Sequence, residues 1–556
     1  MPSDLRTGID ILSGGAGEWE VIVKYNGSLA GIPERVGGRA EPLGDNYAIL
    51  TLPAARIPEL YRFNEIEYLE LPKTLTFSMR ESLGAVCVPE AQRRYGLAGK
   101  GVIIGVIDSG LDYTHPDFRN ADGSTRILSL WDQSGALSPP EGFFHGTEYS
   151  GAQIDAALNA PDPLSIIPDM DVIGHGTAVT GVAAGNGRAS GGIERGVAPE
   201  ASLIIVKLDT KPFAKSTAIM RGLKYLTDRA AGLGMPIAIN ISFGTNNGSH
   251  SGNSLFETYI DAVCQRWKTV VAVATGNEAF EGHHHSGRAA VGKRQDITFT
   301  TGSAARQLFL SMWKSFTDTF DITLTAPDNS STGALNPTEA FRQFVLGGVA
   351  VSVFYGQPTF YNELQEVYIQ LDARGPMPSG LWTLTVTGAT VVDGDYQIWL
   401  PTTEESGGST AFSVQDPSIT LTLPSSAANV ISVGGFDASN NTAAVFSGRG
   451  YTYIEGNVKP DITAPAVGVL TARAGGGYGA YTGTSFAAPF AAGAAALIME
   501  WGIVRGNDPF LYGQRVKAFL RRTAQRNDRE SYPNPIWGYG RLCLNRALDA
   551  LNEYRS

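Results

Sequence analysis

At 556 residues with 43% apolar side chains, the chain is too long for one simple core and rich enough in apolar groups to pack two or three, which excludes a disordered protein. A formal net charge of −11 offers no electrostatic reason for nucleic acid or an anionic membrane surface as a partner. No uninterrupted apolar stretch reaches the length of a membrane span, and residues 1–15 lack the apolar core and small-residue cleavage site of a secretory signal, so no membrane partner and an intracellular setting are expected.

In chain order, residues 1–79 carry alternating or apolar runs at 19–25, 47–52 and 66–71 and a short helical pattern at 57–63, which together predict a small α/β module. From about residue 80 the pattern changes. β-branched runs at 102–107, 202–207, 237–242 and 269–274 alternate with helical patterns at 216–231 and 255–267. Such alternation predicts a parallel sheet with right-handed crossovers and helices on both faces, an α/β fold. Between about 290 and 415 the period shortens to runs at 307–313, 321–325, 349–355, 366–371, 381–387 and 396–400, separated by Gly, Pro, Asn and Asp, which predicts an inserted β-sandwich. Residues 416–556 then return to the α/β pattern, with closing helices at 513–523 and 540–551.

Three stretches carry chemistry. The run 102–107 ends in Asp108-Ser109-Gly110, placing a carboxylate at the carboxyl end of a buried strand, the edge where ligands gather in open α/β sheets. Gly174-His175-Gly176-Thr177 opens an apolar helix with a histidine in its first turn. Gly483-Thr484-Ser485-Phe486-Ala487-Ala488-Pro489 leads into a small apolar helix, whose positive end suits an exposed hydroxyl nucleophile. The order is acid, base, nucleophile: Asp108, His175, Ser485.

That order, with D-S-G, H-G-T and G-T-S-x-A-x-P around the three residues, resembles the subtilisin-like serine proteases. The resemblance implies a triad of Asp108, His175 and Ser485 and an acyl-transfer reaction that needs no cofactor. Thr275-Gly276-Asn277-Glu278 matches the family's A-x-G-N segment and so implies Asn277 as an oxyanion donor. Ser242-Phe243-Gly244 resembles the family's S-x-G segment, which implies backbone pairing with an extended protein or peptide substrate. The position of Asp117 binds calcium in subtilisins, but the companion loop 185–195 lacks the expected asparagine, and no metal site is predicted. His115, in a turn context, is not read as a base. His283-His284-His285 reads as a loop near the cleft, since three adjacent imidazoles do not converge readily on one metal.

Position in the chain makes 1–79 resemble a propeptide, with self-cleavage expected within 76–83 and the fragment retained non-covalently. Asn277 and Ser485 stand 208 positions apart, far more than in compact subtilisins, which again implies an inserted domain, here jelly-roll-like, at 290–415, within a catalytic domain of 80–289 and 416–556. The propeptide-like module, the lack of a recognisable secretory signal and the jelly-roll-like insertion together resemble the Csp-type germination proteases of clostridial spores, whose active members activate the zymogen of a spore-cortex hydrolase. A general intracellular protease, or a regulatory protein with an intact but occluded triad, are the other readings. Cys87, Cys264 and Cys543 lie far apart and are expected to be reduced thiols, in keeping with an intracellular or spore-associated protein.

Overall fold

The computed structural model describes residues 18–72, 74–75, 83–210, 213–302, 305–335, 340–453 and 457–554. The expected self-cleavage stretch, apart from Leu83, lies outside the described residues. The chain divides into two compact units: one made of 77–244, 257–277 and 424–556, the other of 1–76, 245–256 and 278–423.

The first unit is built on a sheet of nine strands among the described residues. The elements that shape it are α1 (Val88–Tyr95), β1 (Ile103–Asp108), β2 (Ile127–Asp132), β3 (Thr147–Ser150), α2 (His175–Ala184), β4 (Ser202–Lys207), α3 (Ser216–Gly232), β5 (Ile237–Ile241), β6 (Thr269–Ala274), β7 (Ile431–Asp437), β8 (Thr442–Ala443), β9 (Ile462–Val467), α4 (Ala487–Met499), α5 (Gln514–Thr523) and α6 (Leu544–Glu553). The strand order is β8-β7-β6-β5-β1-β4-β2-β3, with β9 also pairing β7. Only the short edge strands β3 and β8 run antiparallel to their neighbours within it.

The interior strands are apolar on both faces because helices cover both. Ile103, Ile104, Val106 and Ile107 of β1 are all fully buried. The chain leaves β1 toward β2, β3 and β4 on one side and returns through β5 to the other. The carboxyl end of β1 is therefore a topological switch point, the place where ligands gather in open α/β sheets. Asp108 is its last residue.

α4 runs through the middle of this unit with every residue buried, and its alanines let it approach α2, β5, β6 and β9 closely. The helical run 484–504 around it is, among the described residues, long and apolar enough to cross a membrane, but it is the core helix, with 89% of an 18-residue window of it buried. Glu500 interrupts this run, which is why it does not stand out as an uninterrupted apolar stretch in the sequence.

The thiol expectation also needs correction. Cys87 and Cys543 form a disulfide with Cα atoms 5.0 Å apart, and Cys264 is a buried free thiol. Their 456-residue separation hid the pairing: α1 and α6 pack together, and each cysteine sits at the start of one of them.

In the second unit, the amino-terminal module is a four-stranded antiparallel sheet, with Tyr47–Pro53 and Glu18–Tyr25 at its centre and Arg39–Gly44 and Ile66–Glu70 outside. The helix expected at 57–63 is a 3₁₀ segment, Ala54–Arg62, with Pro58 inside it. Residues from 284 to 412 form one sheet of six strands and another of four among the described residues, sharing one apolar core that includes Phe299, Leu310, Val351, Ile369, Trp382 and Ile398.

The sandwich begins before the expected boundary at 290. His284–Arg288 is a strand, paired with Asp395–Trp399, so the histidine run is not the loop that was expected. His283 and His284 are buried. Within this unit the amino-terminal module meets the sandwich edge-to-face at Tyr68 and Tyr361, with ring centroids 5.7 Å apart. It also meets the segment 245–256, where Glu70 Oε2 accepts the Leu255 N–H at 2.9 Å.

Candidate active site

Asp108 and His175 are set by opposite ends of two elements. β1 delivers Asp108 at its last position, fully buried. α2 delivers His175 in its first turn, 2% exposed. His175 Nδ1 donates to Asp108 Oδ1 at 2.7 Å, and the Ser109 N–H donates to the same oxygen at 2.7 Å. Burial pushes the Asp108 carboxyl above its usual range, while the His175 charge and hydrogen bonds from His175 and Ser109 oppose that rise. The close approach of α2 to the end of β1 requires glycine: a Cβ on Gly176 would stand 2.1 Å from the Gly110 carbonyl.

Ser485 lies in the 3₁₀ turn Thr484–Phe486 that leads into α4. It is 1% exposed, and its Oγ donates to the Ser242 carbonyl at 3.0 Å. In return, Ser242 Oγ donates to the Ser485 carbonyl at 2.8 Å, so the end of β5 and the serine turn are stapled in both directions. Asn240 Nδ2 in turn donates to Ser242 Oγ at 2.8 Å. The His175 ring lies between the two segments, its centroid 5.9 Å from that of Phe486 and 6.3 Å from that of Phe243.

Asn277 follows β6 and is half-buried. Its Oδ1 accepts the Thr484 N–H at 3.0 Å and the Thr484 hydroxyl at 3.2 Å, with the amide oxygen turned toward the serine turn. Asp108 and His175 are thus joined by a hydrogen bond, Ser485 and Ser242 by two, and His175 and Phe243 by a ring contact, while Asn277 bonds Thr484, the residue before Ser485, and Gly244 follows Phe243 in the same buried stretch. The Ser242 and Phe243 side chains face inward, 1% exposed each.

Two other sequence features resolve differently. Asp117 is buried, and both its carboxylate oxygens accept from the Tyr478 hydroxyl, at 2.9 and 3.0 Å, while Oδ1 also accepts the Ala189 N–H at 2.9 Å. Its position is satisfied by protein donors. His115 is also buried, with Nε2 3.0 Å from the Gly477 carbonyl and Nδ1 accepting the Asp117 N–H, and it takes no part in the acid–base pair.

Motif reading missed the groups behind the pair. Asp171, Ser109 and Thr177 form a buried hydrogen-bonded cluster beside it. The signal for Asp171 was present: a carboxylate just upstream of a helix start can cap it.

Comparison with known proteins gives the family. The model of the subtilase family matches residues 99–312 and 406–540. The chain belongs to the subtilase family. Residues 3–73 match the Csp protease B prodomain. The solved structure of the Clostridium perfringens CspB protease superposes with a TM-score of 0.77 at 35% identity, covering 84% of this chain and 98% of that one. Among curated proteins, the major intracellular serine protease of Bacillus subtilis is 27% identical over 53% of this chain and 82% of its own length. The PII-type proteinase of Lactococcus lactis subsp. cremoris is 24% identical over 89% of this chain, which spans only 28% of that protein. This subtilase is accordingly a subtilisin-like serine peptidase carrying a Csp-type prodomain.

Proposed function

We propose that the chain is a serine endopeptidase in which Asp108, His175 and Ser485 form the triad, that it cleaves its own prodomain from the catalytic domain, and that its substrate is the zymogen of a spore-cortex hydrolase. The observation that carries the catalytic part is the buried Asp108–His175 hydrogen bond of 2.7 Å beside the serine turn at the start of α4.

Because a carboxylate only accepts, the Asp108 contact fixes the proton on Nδ1, and Nε2 is the nitrogen that takes the Ser485 proton as Oγ attacks the peptide carbonyl. Asp108 then stabilises the imidazolium that forms. The tetrahedral oxygen is held by the Asn277 side-chain amide and the Ser485 backbone N–H. Collapse expels the amine, which His175 protonates, and water releases the acyl group by the same route in reverse. Extended substrate pairs with the backbone around Ser242 to Gly244, a mode that reads little sequence.

The prodomain match and the likeness to the CspB protease favour a role in germination and a spore-associated location over general proteolysis. The test is intact mass and amino-terminal sequencing of the purified wild type beside Ser485→Ala. A new amino terminus within 76–83 in the wild type alone, with the fragment co-purifying, supports the reading. An uncut wild type that also ignores an active-site serine probe sinks it, and broad digestion of denatured protein shifts the role to general proteolysis.

A further inference from the structure

We infer that Asp171, acting through Ser109, is a positioning residue for the acid–base pair; the inference rests on the triad reading above. Asp171 is 5% exposed and lies in the loop before α2. Its two oxygens receive four donors. Oδ1 accepts the Ser109 hydroxyl at 2.7 Å and the Gly174 N–H at 2.9 Å. Oδ2 accepts the Thr177 N–H at 2.8 Å and the Thr177 hydroxyl at 2.7 Å.

Both hydroxyls pass the restraint on. Ser109 Oγ accepts the Gly176 N–H at 2.9 Å, and Thr177 Oγ1 accepts the Asp112 N–H at 2.8 Å. One carboxylate thus ties the residues just after β1 to the residues on either side of His175. Without it, the Ser109 and Thr177 hydroxyls lose the acceptor that orients them, and the two elements that meet at the Asp108–His175 contact are held in register less firmly. A misplacement of about 1 Å in such a pair can cost on the order of 100-fold in rate.

The arrangement also has an electrostatic side. Ser109 Oγ lies 2.7 Å from Asp171 Oδ1 and 3.3 Å from Asp108 Oδ1, so two carboxylates bracket one hydroxyl next to the imidazole. The nearby cation, Lys207, is paired with Asp169 and Asp132. Asp171 therefore adds negative charge on the side from which the imidazolium is stabilised, and its neutralisation should make His175 harder to protonate.

The experiment follows inactivation of the full-length protein by a fluorophosphonate probe, which reacts at Ser485 and needs no knowledge of the substrate. The inactivation constant, the probe's binding constant and the acid limb of the pH profile are measured for wild type, Asp171→Asn, Ser109→Ala and Ser109→Thr, with melting temperatures alongside. Ser109→Ala is expected to slow inactivation about 10-fold with probe binding unchanged, and Ser109→Thr, which keeps the hydroxyl, to recover most of that loss. Asp171→Asn is expected to slow it roughly 10- to 100-fold and to move the acid limb to lower pH, which a loss of stability alone would not do. Should Asp171→Asn fail to fold, the alanine and threonine variants at 109 decide. Wild-type inactivation by Ser109→Ala, or an unmoved acid limb in a folded Asp171→Asn, overturns the inference while leaving the triad standing. A wild type no more reactive than Ser485→Ala removes the triad and the positioning role together.

Discussion

The Thr484 backbone N–H donates to Asn277 Oδ1 at 3.0 Å, and Thr484 is the residue immediately before Ser485. The contact spans 207 positions of sequence and settles which way the Asn277 amide faces. With Oδ1 spent on the serine turn, Nδ2 is the end that can meet the oxygen of a carbonyl under attack by Ser485.

Removing that donor should therefore cost rate and spare binding. Asn277→Ala is expected to lower kcat by roughly 10²–10³, the loss measured for such a donor in subtilisin, with KM little changed. Cleavage of a labelled, denatured protein substrate by the two enzymes gives both constants. A loss confined to KM would mean that Asn277 binds ground state and transition state alike.

Asp117 and Tyr478 give a prediction about stability without chemistry. The phenol is pushed up to about 12, chiefly by burial, with Asp117 acting in the same direction, so it stays a neutral donor to the buried carboxylate at any working pH. Tyr478→Phe removes that donor and leaves the Ala189 N–H and the imidazole-bearing turn behind. A hydrogen bond to a charged group is worth about 1.5–3 kcal/mol. The variant should melt lower than wild type by a corresponding margin, while labelling of Ser485 at 25 °C proceeds at the wild-type rate. An unchanged melting temperature would show that the phenol contributes nothing net at this position.

How far the sequence foretold all this depends on how local each signal is. The interior strands were legible because both faces are covered: β4 and β6 stand at the residues that their β-branched runs marked. In the second unit the strand at 349–355 was equally clear, whereas Arg294–Thr300 and Phe341–Leu346 were passed over. Both carry charged or polar residues toward solvent, and their buried positions are too few to give a run. Arg39–Gly44 was missed for a related reason, since Pro42 argues against a strand except at a sheet edge, where this one lies. The acid, the base and the serine were legible because each sits at an element boundary with its own small-residue pattern. Asp171 and the Cys87–Cys543 pair were not, because their meaning lies in which segments the fold brings together.

That cysteine pair can be counted directly. In denaturant without reductant, a thiol reagent should find the single Cys264 thiol, and after reduction all three cysteines. Closing so long a loop stabilises by constraining the unfolded chain, and loss of a native disulfide costs about 2–5 kcal/mol in small domains. Cys87→Ser is therefore expected to lower the melting temperature and to leave Ser485 labelling intact below it, since neither cysteine is among the contacts of the acid–base pair. Three thiols before reduction would show the protein to be reduced as isolated.

His283 makes the last prediction, one of pH dependence in the second unit. Its Nδ1 lies 2.5 Å from Glu278 Oε2 and its Nε2 2.9 Å from the Thr410 carbonyl, so both ring nitrogens face acceptors. Only the imidazolium can donate to both. Burial pulls its pKa down, but the hydrogen bond and charge of Glu278, with further pull from Glu281, outweigh that and hold it above the ordinary histidine value of 6.5. A raised folded-state pKa means that the native protein binds the proton more tightly than the unfolded chain does. The resulting stability is fully present below pH 6.5 and is lost as pH rises through the folded value. In His283→Asn this contribution is absent at every pH, so the gap in melting temperature between wild type and variant should be widest near pH 6 and shrink toward pH 9. A gap that stays constant across that range would show that His283 is held as the neutral ring, with one of its two contacts made without a proton.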